Sequence, residues 1–226
     1  MNQQALAFDV YGTLVDPLQM SRLLEEIVGE KSAAMSQLWR EKQLEYSFRR
    51  GLMKYYQDFS VCTRQALEYA QQVLGVSLSE EQIERLLSAY QQMDPYQDVI
   101  PALQWFKAQQ MPVVAFSNGN RTMVTELLRY AGILPELDQV VSVDAVSSFK
   151  PDPEVYAHLC TSLDRNPENI SLISSNPFDV IGAKVAGLKA IWVKRSPQAV
   201  FDPWGVSPDK VVTDLLELKA LIAADL

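Results

Sequence analysis

The chain opens on a short apolar run that no polar position interrupts. Ala5–Phe8 leads directly into Asp9, and Gly12 and Thr13 follow within four residues. Continuous apolar character is typical of a central strand in a parallel sheet that is covered on both faces. Open parallel sheets bind ligands beyond the carboxyl ends of their strands, which is where Asp9 would lie. Five later runs predict further strands, at residues 112–116, 139–143, 169–173, 190–193 and 210–212.

Between the first and second predicted strands the pattern is helical. Apolar residues recur at helical spacing through residues 17–93, and no strand pattern interrupts them. Ser79 followed by Gln82 is a capping-box signal, which indicates the start of a helix. The helices predicted in this block cover residues 21–29, 33–50, 63–74 and 79–93.

From residue 94 onward, helices alternate with strands. The predicted helices cover residues 99–109, 122–131, 154–163, 180–186 and 215–224. Strands that alternate with helices of about ten residues form right-handed crossovers and a parallel sheet. We therefore predict an α/β fold with a doubly wound, Rossmann-like parallel sheet. Residues 1–16 and 94–226 would form this core, and residues 17–93 an inserted helical subdomain.

Composition narrows the class of protein. A net charge of −8 argues against nucleic-acid binding, which requires clustered Lys and Arg. No apolar run approaches the roughly 18 residues that a membrane span needs. The N-terminus lacks a basic region followed by an apolar one, so no secretory signal is expected. Cys62 and Cys160 lack metal-ligand spacing and are expected to be reduced thiols of a cytoplasmic protein. His158, the only histidine, lies in a predicted helix, where a solvated side chain is expected rather than a triad member.

Polar residues follow three of the predicted strands. Asp9 and Thr13 follow the first, Ser117 and Asn118 the second, and residues 174–179 the fourth. One such strand end is more often a turn cap than a catalytic group. Three of them meet at one edge of a parallel sheet, and Lys150 lies in a loop between two of them. The pattern therefore favours an active site at this edge.

Together these motifs resemble the haloacid dehalogenase superfamily over almost the whole chain. The resemblance implies a doubly wound core and a helical cap, which residues 17–93 match. Most members are magnesium phosphatases with the motifs Asp-x-Asp-x-Thr and Gly-Asp-x-x-x-Asp. Here Tyr11 replaces the second Asp of the first motif, and Ser175 replaces the first acid of the last. Magnesium prefers carboxylate ligands, so the two replacements imply a site with no metal and no cofactor.

The same two replacements resemble the L-2-haloacid dehalogenase branch. A halide ion leaves without protonation, so an acid at position 11 has no task. Residues 38–46 resemble the cap motif of this branch, with Arg40 at its functional position, and Lys150 supplies further positive charge. The implied reaction converts short-chain L-2-haloalkanoic acids to D-2-hydroxy acids through an ester of Asp9, with inversion at C2. The partners would be a small halogenated carboxylate and the halide product, with no nucleic acid and no membrane.

The resemblance also assigns residue roles. Asp9 would be the nucleophile, oriented by Lys150 with support from Thr13 and Tyr156, and Asp179 would activate the hydrolytic water. The residues implied in catalysis are Asp9, Thr13, Arg40, Ser117, Lys150, Tyr156, Ser174, Asn176 and Asp179. The residues implied to contact the substrate or the halide are Val10, Tyr11, Arg40, Leu44, Phe59, Ser117, Asn118 and Phe178.

Some alternatives stay open at this level. Glu41 stands where dehalogenases of this branch more often carry Gln, and a carboxylate in the pocket would repel an anionic substrate. Adjacent helix positions face different ways, so Glu41 either lines the pocket or points aside. A metal-dependent phosphatase of the same superfamily and a non-catalytic binder of small carboxylates are the rival functions. A homodimer is implied by the resemblance alone.

Overall fold

The computed structural model describes residues 4–224, apart from the side chains of residues 18 and 19, and is built on a six-stranded parallel sheet. Its strands are β1 (Ala5–Phe8), β2 (Val113–Ser117), β3 (Gln139–Ser142), β4 (Ile170–Ser174), β5 (Lys189–Val193) and β6 (Lys210–Val212). Their order across the sheet is β3-β2-β1-β4-β5-β6. β1 is therefore central: Phe8 pairs with Ala115 on one side and with Ile173 on the other.

Nine α-helices accompany these strands in the described part of the chain. They are α1 (Leu18–Val28), α2 (Ser32–Met53), α3 (Phe59–Leu74), α4 (Glu80–Ala89), α5 (Val99–Ala108), α6 (Arg121–Tyr130), α7 (Pro153–Leu163), α8 (Pro177–Val185) and α9 (Leu215–Ala224). Short 3-10 helices lie at Gly29–Lys31, Leu134–Glu136, Val143–Val146 and Pro167–Asn169. Among residues 4–224, no helix combines the length and the apolar character needed to cross a membrane.

Both faces of the sheet are covered, which explains the uninterrupted apolar run of β1. Leu6 and Phe8 belong to an apolar cluster that includes residues of α5 and α9. Ala5 and Ala7 belong to a second cluster, with residues of α7 and α8. Since neither face meets water, alternation of polar and apolar residues is not needed. The predicted doubly wound α/β fold is confirmed.

Helices α1–α4 stand between β1 and α5 in the chain, and α2 packs against α3. Every fourth residue of α2 is buried, in a stripe that consists of Met35, Trp39, Gln43, Ser47 and Gly51. The indole Nε1 of Trp39 donates a 2.8 Å hydrogen bond to the Thr63 carbonyl on α3. Side chains four residues apart share one helix face, so this stripe fixes the face of α2 that meets α3.

The segment before α1 and the segment after α4 run side by side. Val15 and Pro95 form an isolated antiparallel bridge, and the Asp16 N–H donates to the Asp94 carbonyl at 2.9 Å. The Tyr96 N–H donates to the Leu14 carbonyl at 3.1 Å. These backbone hydrogen bonds hold residues 14–16, before α1, next to residues 94–96, after α4.

Several predicted helix boundaries differ from the structure, and two of them differ by four residues. Helix α3 begins at Phe59 rather than at residue 63, because Asp58 caps it by accepting the Ser60 N–H. Helix α4 ends at Ala89 rather than at residue 93, where the Tyr90 N–H turns back to the Leu87 carbonyl and closes a tighter turn. The strand β2 extends to Ser117, one residue beyond its predicted end.

Candidate active site

Asp9 lies at the carboxyl end of β1, and side chains from several elements converge on it. It is 7% exposed. Its Oδ2 accepts hydrogen bonds from Asn176 Nδ2 (2.8 Å) and Thr13 Oγ1 (2.9 Å), with Ser174 Oγ at 3.4 Å. Its Oδ1 accepts from Lys150 Nζ at 3.1 Å. The carboxylate is therefore held in one orientation as a charged acceptor.

The turn after β1 brings Thr13 back to Asp9. Gly12 has a φ of +78°, in the region where an L side chain is strained, and the Thr13 N–H donates to the Val10 carbonyl. Thr13 Oγ1 then accepts the Ser175 N–H at 2.9 Å while it donates to Asp9. The turn therefore ties the end of β1 to the end of β4.

Lys150 is buried between two carboxylates. Its Nζ lies 3.1 Å from Asp9 Oδ1, 2.8 Å from Asp179 Oδ2 and 2.8 Å from the Phe116 carbonyl. Burial alone would lower the pKa of Lys150, but Asp179 and Asp9 outweigh it and raise the pKa above 10.5. The backbone N–H of Lys150 donates to Asn118 Oδ1, which anchors the loop that carries the ammonium group.

Asp179 forms the far side of this cluster and is fully buried. Its Oδ1 accepts from the Tyr156 hydroxyl at 2.9 Å, and its Oδ2 accepts from Lys150. Burial raises the pKa of Asp179 above 3.8, Lys150 opposes the rise, and nearby Asp9 adds to it. The resemblance implied that Tyr156 supports Asp9 and Lys150. The hydrogen bond in the structure goes to Asp179, and Tyr156 reaches Lys150 only through that carboxylate.

The helical block contributes Arg40 from α2. Arg40 Nη1 donates to Gln43 Oε1 at 2.8 Å, and Nη2 lies 3.4 Å from Asn176 Oδ1. Arg40 and Asn176 line a cavity of about 220 Å³ together with the turn at Tyr11 and Gly12. Asn176 thus links Arg40 to Asp9 through the two ends of one amide group.

An aromatic wall lies beside this cavity. The rings of Tyr11 and Phe59 are 6.5 Å apart, and both line a second cavity of about 460 Å³. Burial raises the pKa of Tyr11, so its phenol stays neutral at physiological pH. Tyr11 and Phe59 therefore lie side by side, and their contact with the substrate stays a prediction.

Three further residues were predicted to contact the substrate: Val10, Ser117 and Leu44. Val10 is fully buried, and the buried Ser117 hydroxyl accepts the Gly119 N–H at 3.2 Å. Leu44 is half-buried on α2, and its contact with substrate stays a prediction.

The position of Phe178 differs from the prediction. Its ring packs 5.1 Å from that of Phe48, beside a separate apolar groove of about 730 Å³. Phe178 and Asp179 are consecutive in α8, so they point about 100° apart, and the inward position of Asp179 turns Phe178 toward α2.

For two residues of α2, Glu41 and Gln43, the sequence left the position relative to the pocket undecided. Glu41 is exposed and accepts a 2.9 Å hydrogen bond from Gln37, so its charge lies outside the pocket. Gln43 is fully buried and touches Arg40, although no role was assigned to it. The sequence offered one sign of its burial: Gln43 follows Trp39 by four positions, so it lies on the same face of α2, the face that packs on α3.

The arrangement of acids does not form a metal centre. Among residues 4–224, no group of three or more His, Cys, Asp or Glu side chains is placed to hold a metal ion. Instead, the ammonium group of Lys150 bridges Asp9 and Asp179. This geometry provides a carboxylate nucleophile, a second carboxylate that can accept a proton, and fixed positive charges for an anionic ligand.

Comparisons with known proteins agree with this geometry. Residues 3–187 match the family model of the haloacid dehalogenase-like hydrolases. The (S)-2-haloacid dehalogenase of Pseudomonas fluorescens is 36% identical over 217 residues, which cover 96% of this chain and 95% of that protein. The solved L-2-haloacid dehalogenase RSc1362 has a TM-score of 0.95 at 29% identity, covering 99% of this chain and 100% of that one.

A third similar protein carries a bound group. The L-2-haloacid dehalogenase of Xanthobacter autotrophicus with chloropropionic acid covalently bound has a TM-score of 0.92 at 32% identity. The match covers 99% of this chain and 100% of that one. The chain therefore belongs to the haloacid dehalogenase-like hydrolases, in the branch of the L-2-haloacid dehalogenases.

Proposed function

We propose that this protein hydrolyses short-chain L-2-haloalkanoic acids to D-2-hydroxy acids, through an ester of Asp9 and with inversion at C2. The observation that carries the proposal is the Asp9–Lys150–Asp179 cluster, in which an ammonium group stands between the two acids. A phosphatase of the superfamily would need a metal and a leaving-group acid there. The covalently bound chloropropionic acid of the Xanthobacter relative supports an ester intermediate.

In the first step, an oxygen of Asp9 attacks C2 of the substrate. A carbon–oxygen bond forms, the carbon–halogen bond breaks, and its electron pair leaves with the halide ion. Arg40 lines the same small cavity as the turn that follows Asp9, and it stabilises the departing anion. The phenol of Tyr11 and the ring of Phe59 exclude water during this attack.

In the second step, water attacks the carbonyl carbon of the Asp9 ester. Asp179 accepts the proton of that water, and Lys150, together with Ser174 and Thr13, stabilises the negative charge on the tetrahedral intermediate. The intermediate collapses with cleavage of the bond between the carbonyl carbon and the ester oxygen, and the proton on Asp179 passes to that oxygen to form the hydroxy acid. The second proton of the water is released to solvent, which regenerates the Asp9 carboxylate.

The substrate carboxylate needs hydrogen-bond donors that leave the attacking oxygen of Asp9 free. We assign its binding to the hydroxyl of Ser117 and to the backbone N–H groups of Val10 and Tyr11. Asn118 lies beside Ser117 and, with Arg40, contacts the halide. Ser117 is the last residue of β2, directly beside β1, which supports its place in the substrate site.

The remaining assignments concern the organisation of the protein. We propose that residues 17–93 act as a cap on the core of residues 1–16 and 94–226, with α1–α4 closing the cavities beside Asp9. We also propose a cytoplasmic homodimer. Two free cysteines support the cytoplasmic location, and an exposed apolar groove that includes Leu52 and Trp204 supports an interface. The molar mass in solution, compared for the native chain and Leu52→Glu, tests the dimer.

Halide release from (S)-2-chloropropionate tests the main proposal. A single turnover in H₂¹⁸O with excess enzyme should leave ¹⁸O in the carboxylate of Asp9 and ¹⁶O in the product hydroxyl, because water attacks the ester rather than C2. Asp9→Asn should abolish halide release. A protein that binds 2-chloropropionate but releases no chloride would be a binder, and one that hydrolyses p-nitrophenyl phosphate with magnesium instead would be a phosphatase.

A further inference from the structure

Gln43 is a fully buried polar side chain that the reaction described above does not use. It lies on the stripe of α2 that faces α3, where the neighbouring position four residues earlier is Trp39. Burying an amide group costs free energy unless its hydrogen bonds are satisfied, and an apolar side chain would fill this position without that cost. Its presence therefore points to a task that an apolar side chain cannot perform.

The partners of Gln43 determine which end of its amide faces which neighbour. Arginine only donates, so the amide oxygen must face Arg40 Nη1, at 2.8 Å. The amide nitrogen donates to Thr63 Oγ1 at 2.7 Å, because the Thr63 hydroxyl is already donating to the Phe59 carbonyl at 2.9 Å. Burial raises the pKa of the nearby Tyr90 phenol, and Gln43 opposes that rise. The guanidinium group is thus attached to α3 through one neutral amide.

Arg40 forms no ion pair with a carboxylate within residues 4–224. Among the side chains that the structure describes, its hydrogen-bond acceptors are the amide oxygens of Gln43 and Asn176, and no carboxylate is ion-paired with it. Glu41, next to it in the helix, is exposed and bonded to Gln37. An unpaired guanidinium group binds an anion more strongly than one already paired with a carboxylate.

We propose that Gln43 is a positioning residue, which holds Arg40 toward the departing halide ion and leaves its positive charge available. The inference rests on the proposed function, because that function assigns the halide to Arg40. Gln43 touches neither substrate nor halide and acts through Arg40. The choice of an amide rather than a carboxylate is the essential point, because the two groups have the same shape and differ in charge.

Gln43→Glu tests this point with almost no change in volume. The hydroxyl group of Thr63 can turn away from the Phe59 carbonyl and donate to the new carboxylate, so both oxygens of the variant side chain keep a hydrogen-bond donor. It should weaken inhibition by bromide ion about tenfold or more, by analogy with the loss of one electrostatic group from a preorganised site. The rate ratio of 2-bromo- to 2-chloropropionate should rise, because the poorer leaving group depends more on Arg40. The variant should lower kcat more than it changes KM.

Three further variants make the test specific. Gln43→Met is neutral and removes both the acceptor for Arg40 and the donor to Thr63 without adding charge. It should weaken bromide inhibition several-fold, less than Gln43→Glu does. Gln72→Glu adds the same charge at an exposed position on α3 and should leave both readouts unchanged. Arg40→Ala should show the full loss of bromide inhibition.

The outcomes separate this inference from the proposed function. Folded Gln43→Glu with native bromide inhibition and a native bromo-to-chloro ratio would overturn the inference, and circular dichroism verifies folding. If that variant does not fold, Gln43→Met decides in its place, and native bromide inhibition in it has the same meaning. Absence of halide release from the native protein would refute the proposed function instead.

Discussion

The ammonium group of Lys150 lies 2.8 Å from Asp179, and both side chains are excluded from water. An isolated charge could not stay ionised in such a position. The pair persists because each charge offsets the desolvation of the other, and because Asp9 and Tyr156 supply further hydrogen bonds. The buried acids of this site therefore depend on one lysine.

Replacement of that lysine should damage both activity and stability. Lys150→Met leaves two buried carboxylates without their countercharge, so turnover should fall at least a hundredfold and the free energy of unfolding by about 3–5 kcal/mol. Urea denaturation and halide release measure the two effects. Lys54→Met removes an exposed ammonium group paired with Asp152 and Glu154, and serves as the control in which unfolding is nearly unchanged.

The stability difference between the native protein and Lys150→Met should depend on alkaline pH. The pKa of Lys150 is raised above 10.5 in the folded protein, because its two carboxylate partners outweigh burial. The contribution of this group is therefore complete below pH 10.5 and is lost as the pH rises through the higher folded-state pKa. A difference that grows with pH above 10.5 would contradict the assignment.

The acid limb of the pH–rate profile should report Asp179. This acid must be ionised to accept a proton from water, and burial raises its pKa above 3.8. The limb of kcat should therefore have its midpoint above pH 3.8 when ester hydrolysis limits the rate. Tyr156→Phe removes a hydrogen bond that lowers this pKa, so the limb should move to still higher pH.

Tyr56→Phe provides the matched control for that shift. The hydroxyl of Tyr56 donates to Asp144 at 2.6 Å, so this variant removes a similar Tyr–Asp bond outside the catalytic cluster. Its acid limb should coincide with that of the native protein. Equal shifts in both variants would mean that the limb reports general destabilisation rather than Asp179.

Activity should not depend on a divalent metal. Tyr11 and Ser175 replace two acids of the phosphatase motifs, and the ammonium group of Lys150 already bridges Asp9 and Asp179. A magnesium ion there would have to displace a buried, hydrogen-bonded cation. Halide release should be unchanged after dialysis against EDTA and after addition of magnesium. Loss of activity in EDTA that magnesium restores would contradict both this prediction and the proposed mechanism.

The sequence indicated the elements that follow strong local rules. The buried run of β1 and the carboxylate after it could be predicted because a sheet covered on both faces tolerates no polar residue within the strand. The resemblance then supplied Arg40, Lys150 and Asp179, which the structure brings to the same edge of the sheet.

Other features depend on tertiary packing and could not be read from the chain. The partner of Tyr156 is set by how α7 and α8 pack, and the direction of Phe178 by which face of α8 is buried. The burial of Gln43 depends on contact with α3, twenty residues away. Arg195 lies outside every motif in the sequence, yet its guanidinium group donates to the carbonyl of Thr13 at 2.6 Å.

That arginine should matter for stability. Arg195 Nη1 lies 2.8 Å from both oxygens of Asp98, each partner being 11% exposed, and its guanidinium group lies 4.1 Å from the ring centre of Tyr96. Arg195→Met should lower the free energy of unfolding by about 3 kcal/mol, because it leaves Asp98 largely buried without its partner.

An exposed ion pair offers the comparison. Arg85 and Glu26 are 54% and 62% exposed, so Arg85→Met should cost only about 0–1 kcal/mol. Chemical denaturation of both variants measures the difference. Arg195→Met should also reduce turnover. Arg195 donates to the carbonyl of Thr13, and the hydroxyl of Thr13 donates to Asp9. Similar stabilities for the two variants would show that Arg195 is not a structural anchor.

The stereochemical outcome tests the mechanism as a whole. In-line displacement requires the Asp9 carboxylate and the departing halide on opposite sides of C2, which places the substrate between Asp9 and Arg40. The attack inverts C2, and the second step leaves C2 untouched because water attacks the carbonyl carbon of the ester. (S)-2-chloropropionate should therefore give (R)-lactate. Direct attack of water on C2 would also invert, so Asp9→Asn must in addition be inactive. Chiral chromatography of the product measures the outcome, and (S)-lactate or a racemate would exclude the scheme.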